Sequence, residues 1–296
     1  MPKAREIKLN AYAKINMTLD ITGVRDDGYH LMDMVNRSVG INDEVTISLS
    51  RGEGILMRSN SKYMPCDERN HAHKAAVALA KAACIPLPAI SIYIKKRIPT
   101  QAGLGGGSSD AAATLVGLNQ LLGLGLGTSE LCDIGKTVGA DVPFCIVGGA
   151  ARVTGIGDII EPIEDNGDYS VVVAMPNHGC STREAFSEID SRSDFERPDT
   201  PGMIACLKNG DVSGMAIKLC NVFNTALRHE HSEALFPFLL QGGALGASLS
   251  GSGAAVFGVF KNHLDAQRCC ADIRRKNLRC FAARPTLSGT SVIYIK

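Results

Sequence analysis

No stretch of this sequence stays apolar for the roughly 20 residues that a membrane-spanning helix needs. The first residues, MPKAREIKLNAYAK, also lack the apolar core of a secretory signal. The expectation is a cytoplasmic protein with no membrane partner. Charge of one sign is missing too: 31 basic residues stand against 30 acidic ones, a net charge of +1. Such a balance supplies no broad field for holding nucleic acid, so small ligands are the expected partners. The ten cysteines include no CxxC pair, and a chain of this length is no small secreted scaffold, so reduced thiols are expected. Cys269 and Cys270 are adjacent, but a vicinal disulfide is strained, and they are read as helix residues without a role. Internal repeats and low-complexity tracts are absent as well.

What remains is an ordinary globular composition, 45% hydrophobic and 21% charged over 296 residues, with a mean hydropathy of +0.05. It suffices for a substantial core and two lobes. From Ile7 to Ile21 every odd position is apolar and every even one is polar or Tyr. Period two over this length predicts a half-buried antiparallel ribbon with a bend, a bulge or two successive strands. Lys14, Asn16 and Thr18 fall on its polar face, about 7 Å apart. Further strands are predicted at Val45–Leu49, Ile90–Ile94, Val171–Met175, Ala255–Phe260 and Ser291–Ile295. Helices are predicted at His71–Ala83, Ser109–Leu122, Ser129–Val138, Thr182–Ile189 and His263–Arg275. Strands and helices do not alternate regularly, which favours an α+β architecture over a doubly wound parallel sheet. SRSDFERPDTPG, Ser191 to Gly202, reads as a long surface loop. KKR at Lys95 to Arg97 reads as a solvated strand edge. The pairs His71/His73 and His229/His231 sit on predicted helices, where i and i+2 share no face, and are not read as metal ligands.

The segment PTQAGLGGGSSDAAATLVGLNQLLG, Pro99 to Gly123, passes from a predicted strand through a glycine loop into a helix. Glycines 103, 105, 106 and 107 allow positive φ and close approach of a ligand, and Ser108 or Ser109 can cap the helix. Unpaired amides and the positive helix end then face a phosphate. This loop lacks the GK-Ser/Thr of a Walker A motif. It also fails the dinucleotide pattern GxGxxG, because Ser108 and Asp110 stand where the third glycine would be. Neither HRD nor DFG occurs in the chain, which excludes a protein kinase.

PTQAGLGGGSSDAAA closely resembles the ATP-binding motif of the GHMP kinases. Three further segments, AYAKINMTLDITGVRDDGYH at Ala11–His30, VGADVPF at Val138–Phe144 and SLSGSGAAVFGVF at Ser248–Phe260, are similar, in the same order, to motifs of the branch of that family acting on a cytidyl diphospho sugar alcohol. The resemblance spans nearly the whole chain. It departs from the usual pattern at Met17, where Leu is common, and at Gln101. It implies a two-lobed α+β fold. An N-terminal lobe (1–155) would resemble a ribosomal-protein-S5-like domain, and a C-terminal lobe (156–296) would be a ferredoxin-like α/β-plait.

The implied reaction is transfer of the ATP γ-phosphoryl to the 2-hydroxyl of the sugar alcohol, in non-mevalonate isoprenoid precursor synthesis. By resemblance, Pro99, Thr100, Gln101, Ala102, Gly103, Leu104, Gly105, Gly106, Gly107, Ser108 and Ser109 bind ATP. Asp141, on a turn between Gly139 and Pro143, is the implied base, and Lys14 the cation that polarises the hydroxyl and offsets charge in transfer. Asn16, Tyr29, His30, Thr182 and Phe186 are implied at the substrate, with Tyr29 and His30 facing cytosine. Ser250, Gly251, Ser252 and Gly253 form an implied second glycine loop. Taken singly, Asp141 reads as a turn residue, Lys14 as a solvated strand lysine, Thr182 as a helix cap and SGSG as a hairpin turn. The implied metal is the Mg²⁺ that accompanies ATP, held by phosphate oxygens and water with Ser108 as a contact. Three other readings stand beside this one: a mevalonate- or homoserine-type kinase, a catalytically silent nucleotide sensor, and an NAD-dependent dehydrogenase, the last lacking its fingerprint. The oligomeric state is open.

Overall fold

The computed structural model describes residues 5–50, 52–176, 182–192, 195–226 and 230–296. Strands β1 (Glu6–Val24) and β2 (His30–Leu49) form a long antiparallel ribbon joined by the DG turn, where Gly28 has φ +84°. The alternating run is one strand whose register against β2 shifts at Tyr12/Ala13, Asn16/Thr18 and Ile21/Gly23. Each irregularity adds local twist. The ribbon therefore curls, and Lys14, Asn16 and Thr18 on its polar face are buried rather than solvated.

The chain continues through β3 (Ile55–Ser59), α1 (His71–Ala82), β4 (Ile90–Lys95), α2 (Gly106–Leu122), α3 (Thr128–Lys136), α4 (Val142–Val147), β5 (Ala150–Gly155) and β6 (Ile159–Ile163). Asn70 caps α1 by accepting a hydrogen bond from Ala72 N at 2.8 Å. Helix α2 is rich in small buried residues, Ala111 to Ala113 among them. Its Gly117 lies so close to the ribbon that a Cβ there would meet Leu9 Cδ1 at 2.8 Å and Ile47 Cδ1 at 2.9 Å.

The second half contains β7 (Ser170–Met175), α5 (Thr182–Asp190), α6 (Thr200–Asn209), α7 (Val212–Ile217), β8 (Cys220–Asn221), α8 (Val222–Ala226), α9 (Glu230–Glu233) and α10 (Phe236–Gln241). It ends with β9 (Gly246–Leu249), β10 (Val256–Phe260), α11 (His263–Arg275), β11 (Arg279–Ala283) and β12 (Thr290–Ile295). Its own sheet is antiparallel in the order β11-β7-β10-β9. β7 is buried throughout. Its Val172 and Ala174 join one hydrophobic core and its Val171 and Val173 the other, as alternation across a doubly covered strand requires.

The α+β, two-lobed expectation describes this architecture, but a cut at 155/156 does not. The first sheet runs β12-β1-β2-β4-β3 and also takes β5, β6 and β8. Three of its strands come from beyond residue 156, and β12 returns to pair with β1, covering an edge that would otherwise present unpaired amides. The loop predicted over Ser191–Gly202 is also shorter than expected. Thr200 already opens α6, where Asp199 accepts from Gly202 N at 2.9 Å. Pro201 falls in the first turn, where proline interrupts no helical hydrogen bond.

Candidate active site

Two adjoining cavities lie along the glycine loop. One, of about 670 Å³, is lined by the whole run from Pro99 to Ser108 together with the segment around Tyr63 and Asn70. The other, of about 430 Å³, is lined by Lys14, Tyr29, His30, Asp141, Phe186, Gly251 and Ser252. Gly103, Ser108 and His71 line both.

The loop is held from three sides. Lys14 N donates to Leu104 O at 3.0 Å, and Ser109 Oγ donates to Tyr12 O at 2.7 Å, which fasten it to β1. Ser250 Oγ donates to Gly103 O at 2.8 Å, and Ala255 N to Ala102 O at 3.2 Å, which fasten it to the second glycine loop. Only glycine permits that approach: at Gly103, with φ +72°, a Cβ would lie 1.9 Å from Ser250 O. The cap of α2 is Gly105, in the left-handed region at φ +69°, with no side-chain cap. Ser108 and Ser109 lie inside the first turn, which corrects the expected serine cap. Ser109 is fully buried beneath the loop and lines neither cavity.

A buried ion cluster supports the loop from below. Lys96 Nζ contacts Asp43 Oδ2 and lies 2.7 Å from Asp110 Oδ2, while Asp43 Oδ1 accepts from Arg97 N and Ile98 N. Burial opposes the charge on Lys96, but the two carboxylates outweigh it and raise its pKa. Burial, countered by Lys96 and reinforced by Asp43, pushes Asp110 up to about 8. The KKR segment is therefore no solvated edge at its centre. Desolvation also pushes the Cys145 thiol, behind the loop, up to about 12, leaving it unreactive at neutral pH.

Across the loop, Lys14 Nζ lies 3.9 Å from Asp141 Oδ2. Its alkyl stem packs on Gly105, where a Cβ would meet Lys14 Cγ at 2.9 Å. Asp141 is the residue before α4, and its carboxylate makes no cap hydrogen bond, so it is left to the cavity. Asn16, expected at the substrate, is instead fully buried behind Lys14 and does not line the cavity. Its Oδ1 accepts from Lys14 Nζ at 2.8 Å and from Gly251 N at 2.7 Å, and its Nδ2 donates to Asn36 Oδ1 at 2.6 Å. The inward curl of β1 spends this side chain on fixing Lys14 and the second glycine loop.

The far wall is aromatic. Tyr29 is 59% exposed at the mouth, and the His30 and Phe186 rings lie 4.6 Å apart between centroids. Phe223 meets Phe186 edge-on at 5.1 Å. Asp190 Oδ1 holds His30 Nε2 at 2.6 Å. Thr182 is the first residue of α5, and its side chain lies outside the described residues, as does His229. Sequence reasoning missed His71, Lys96, Asp43, Asp110, Asp190 and Phe223. The alternation of β2 and the SSD following the glycines were the only signals pointing toward the ion cluster.

A glycine loop at a helix N-terminus, a lysine–aspartate pair and a second cavity beside it are an arrangement suited to phosphoryl transfer, and the comparisons agree on the class. The chain belongs to the GHMP kinase family: residues 70–149 match the GHMP kinases N terminal domain and residues 203–280 the GHMP kinases C terminal domain. Within that family it is 39% identical over 260 residues to 4-diphosphocytidyl-2-C-methyl-D-erythritol kinase of Caldicellulosiruptor saccharolyticus, covering 87% of this chain and 89% of that one. It is also 39% identical to the enzyme of that name from Clostridium tetani, covering 91% and 96%. A crystal structure of 4-(cytidine 5'-diphospho)-2C-methyl-D-erythritol kinase superposes with a TM-score of 0.78 at 26% identity, covering 94% of this chain and 98% of that one. Homoserine kinase from Cytophaga hutchinsonii superposes equally well, at 0.78 over 99% of each chain, but at 19% identity it speaks for the fold alone.

Proposed function

We propose that the chain transfers the γ-phosphoryl group of ATP to the 2-hydroxyl of 4-diphosphocytidyl-2-C-methyl-D-erythritol, releasing ADP and the 2-phosphate. The step belongs to non-mevalonate isoprenoid precursor synthesis in the cytoplasm. One observation carries the reading: the Lys14–Asp141 pair opens into a cavity walled by Tyr29, His30 and Phe186, and that cavity meets the glycine-loop cavity at Gly103 and Ser108.

ATP occupies the larger cavity, its phosphates held by loop amides and the N-terminal end of α2. The cytosine ring lies among Tyr29, His30 and Phe186, where faces stack and ring edges offer hydrogen bonds. Asp141 accepts the proton of the acceptor hydroxyl as its oxygen forms the bond to Pγ and the bond from Pγ to the ADP oxygen breaks. Lys14, held in place by Asn16, offsets the charge that gathers on the transferring group. Mg²⁺ accompanying ATP would be held mostly by phosphate oxygens and water. Ser108, an oxygen donor lining both cavities, fits such a hard cation. When bound, the ion neutralises phosphate charge.

The test is a coupled assay for ADP with purified protein and three acceptors. ADP formation that depends on the cytidyl substrate is expected; turnover of mevalonate or homoserine without it overturns the reading.

A further inference from the structure

None of the chemistry above uses His71, the first residue of α1. The Asn70 cap fixes its backbone, and its ring lies between two glycines. A Cβ on Gly107 would come within 3.5 Å of His71 Nδ1, and one on Gly139 within 3.8 Å of its Cε1. Gly107 belongs to the phosphate loop, and Gly139 stands two residues before Asp141. The ring thus spans the gap between the nucleotide and acceptor cavities and lines both. Its Nδ1 is buried without a hydrogen-bond partner, so the ring meets the cavities through its other edge. Burial, and then the charge of Lys74, hold the imidazole below its ordinary pKa, so in the free protein it is a neutral ring with one N–H to offer.

The group that passes between these cavities in the reaction is the γ-phosphoryl. We propose that the ring nitrogen of His71 that faces the cavities donates a hydrogen bond to a γ-phosphoryl oxygen of ATP, a substrate contact that adds His71 to the transfer machinery. The inference rests on the kinase reading above. An apolar side chain of similar size would fill the same gap between Gly107 and Gly139 but offer the phosphate nothing.

Two measurements test it. In His71→Leu, kcat/KM for ATP should fall by about 10- to 100-fold, the range for a hydrogen bond to a charged group, while KM for the cytidyl substrate moves by less than about twofold. In ¹⁵N-labelled wild-type protein, the His71 imidazole resonances should shift on adding the β,γ-imido analogue of ATP and not on adding ADP. Equal kcat/KM for ATP in His71→Leu and wild type, or the same imidazole shift with ADP as with the analogue, overturns the proposal. Should the Leu variant fail to fold, the wild-type spectra decide alone. They need no acceptor, so a wild type silent toward the cytidyl substrate counts against the proposed reaction and not against the contact.

Discussion

Two lysines flank the glycine loop, and they are used in opposite ways. Lys96 lies in contact with two carboxylates whose side chains are 0% and 3% exposed; Lys96 and Asp110 border the larger cavity, but the lysine is already engaged by both carboxylates. Lys14 is as deeply buried, but its carboxylate partner stands 3.9 Å away and is 35% exposed. The gap and the exposure leave Asp141 able to receive a proton from an incoming hydroxyl. Closed charge fixes the loop; the open pair is the one proposed for transfer.

The largest effect should come from opening the closed cluster. Lys96→Met removes the cation that the buried Asp43 and Asp110 share and should lower unfolding free energy by about 3–5 kcal/mol in urea titrations. Unchanged stability would break the contrast. Lys14→Met should lower kcat by about 10²- to 10³-fold with nucleotide affinity by calorimetry near wild type. Asn16→Ala comes next. It strands the groups that Asn16 satisfies, should cost about 1–3 kcal/mol, and should lower kcat while leaving KM for the cytidyl substrate nearly unchanged. A rise in that KM instead would restore Asn16 as a direct substrate contact.

The last effect concerns pH. Asp110 is raised from 3.8 to about 8, so the folded state binds this proton more tightly than the unfolded chain. Its contribution to stability is complete below about pH 4 and is lost as pH rises toward about 8, with a slope below about 1.4 kcal/mol per pH unit for one proton. Asp110→Asn should flatten the fall in unfolding free energy across that window. The same fall in the variant would remove Asp110 from the cluster.

The local elements were legible in the sequence, whereas the contrast between the two lysines was not. The alternation from Ile7 to Ile21 marks β1, and the strand–glycine–helix order marks the loop, because both signals are local. Pairing of β12 with β1 joins residues about 280 positions apart, and no periodicity reports it. The burial of Asn16 depends on bulges in β1 that alternation only hints at. Lys96 looks like a surface lysine until Asp43 and Asp110, distant in sequence, close around it. His71 sits in an HxH pair that carries no signal of its own, whereas in the fold its ring lies against Gly107 and Gly139.

The central claim is that chemistry resides in the open pair and support in the closed cluster. Measuring kcat and ATP affinity for Asp141→Asn beside Asp110→Asn tests it most directly. The account predicts a loss of about 10²- to 10⁴-fold in kcat for Asp141→Asn with nucleotide binding retained, and a loss below about tenfold for Asp110→Asn. Full activity in the first variant, or the greater loss in the second, would contradict it.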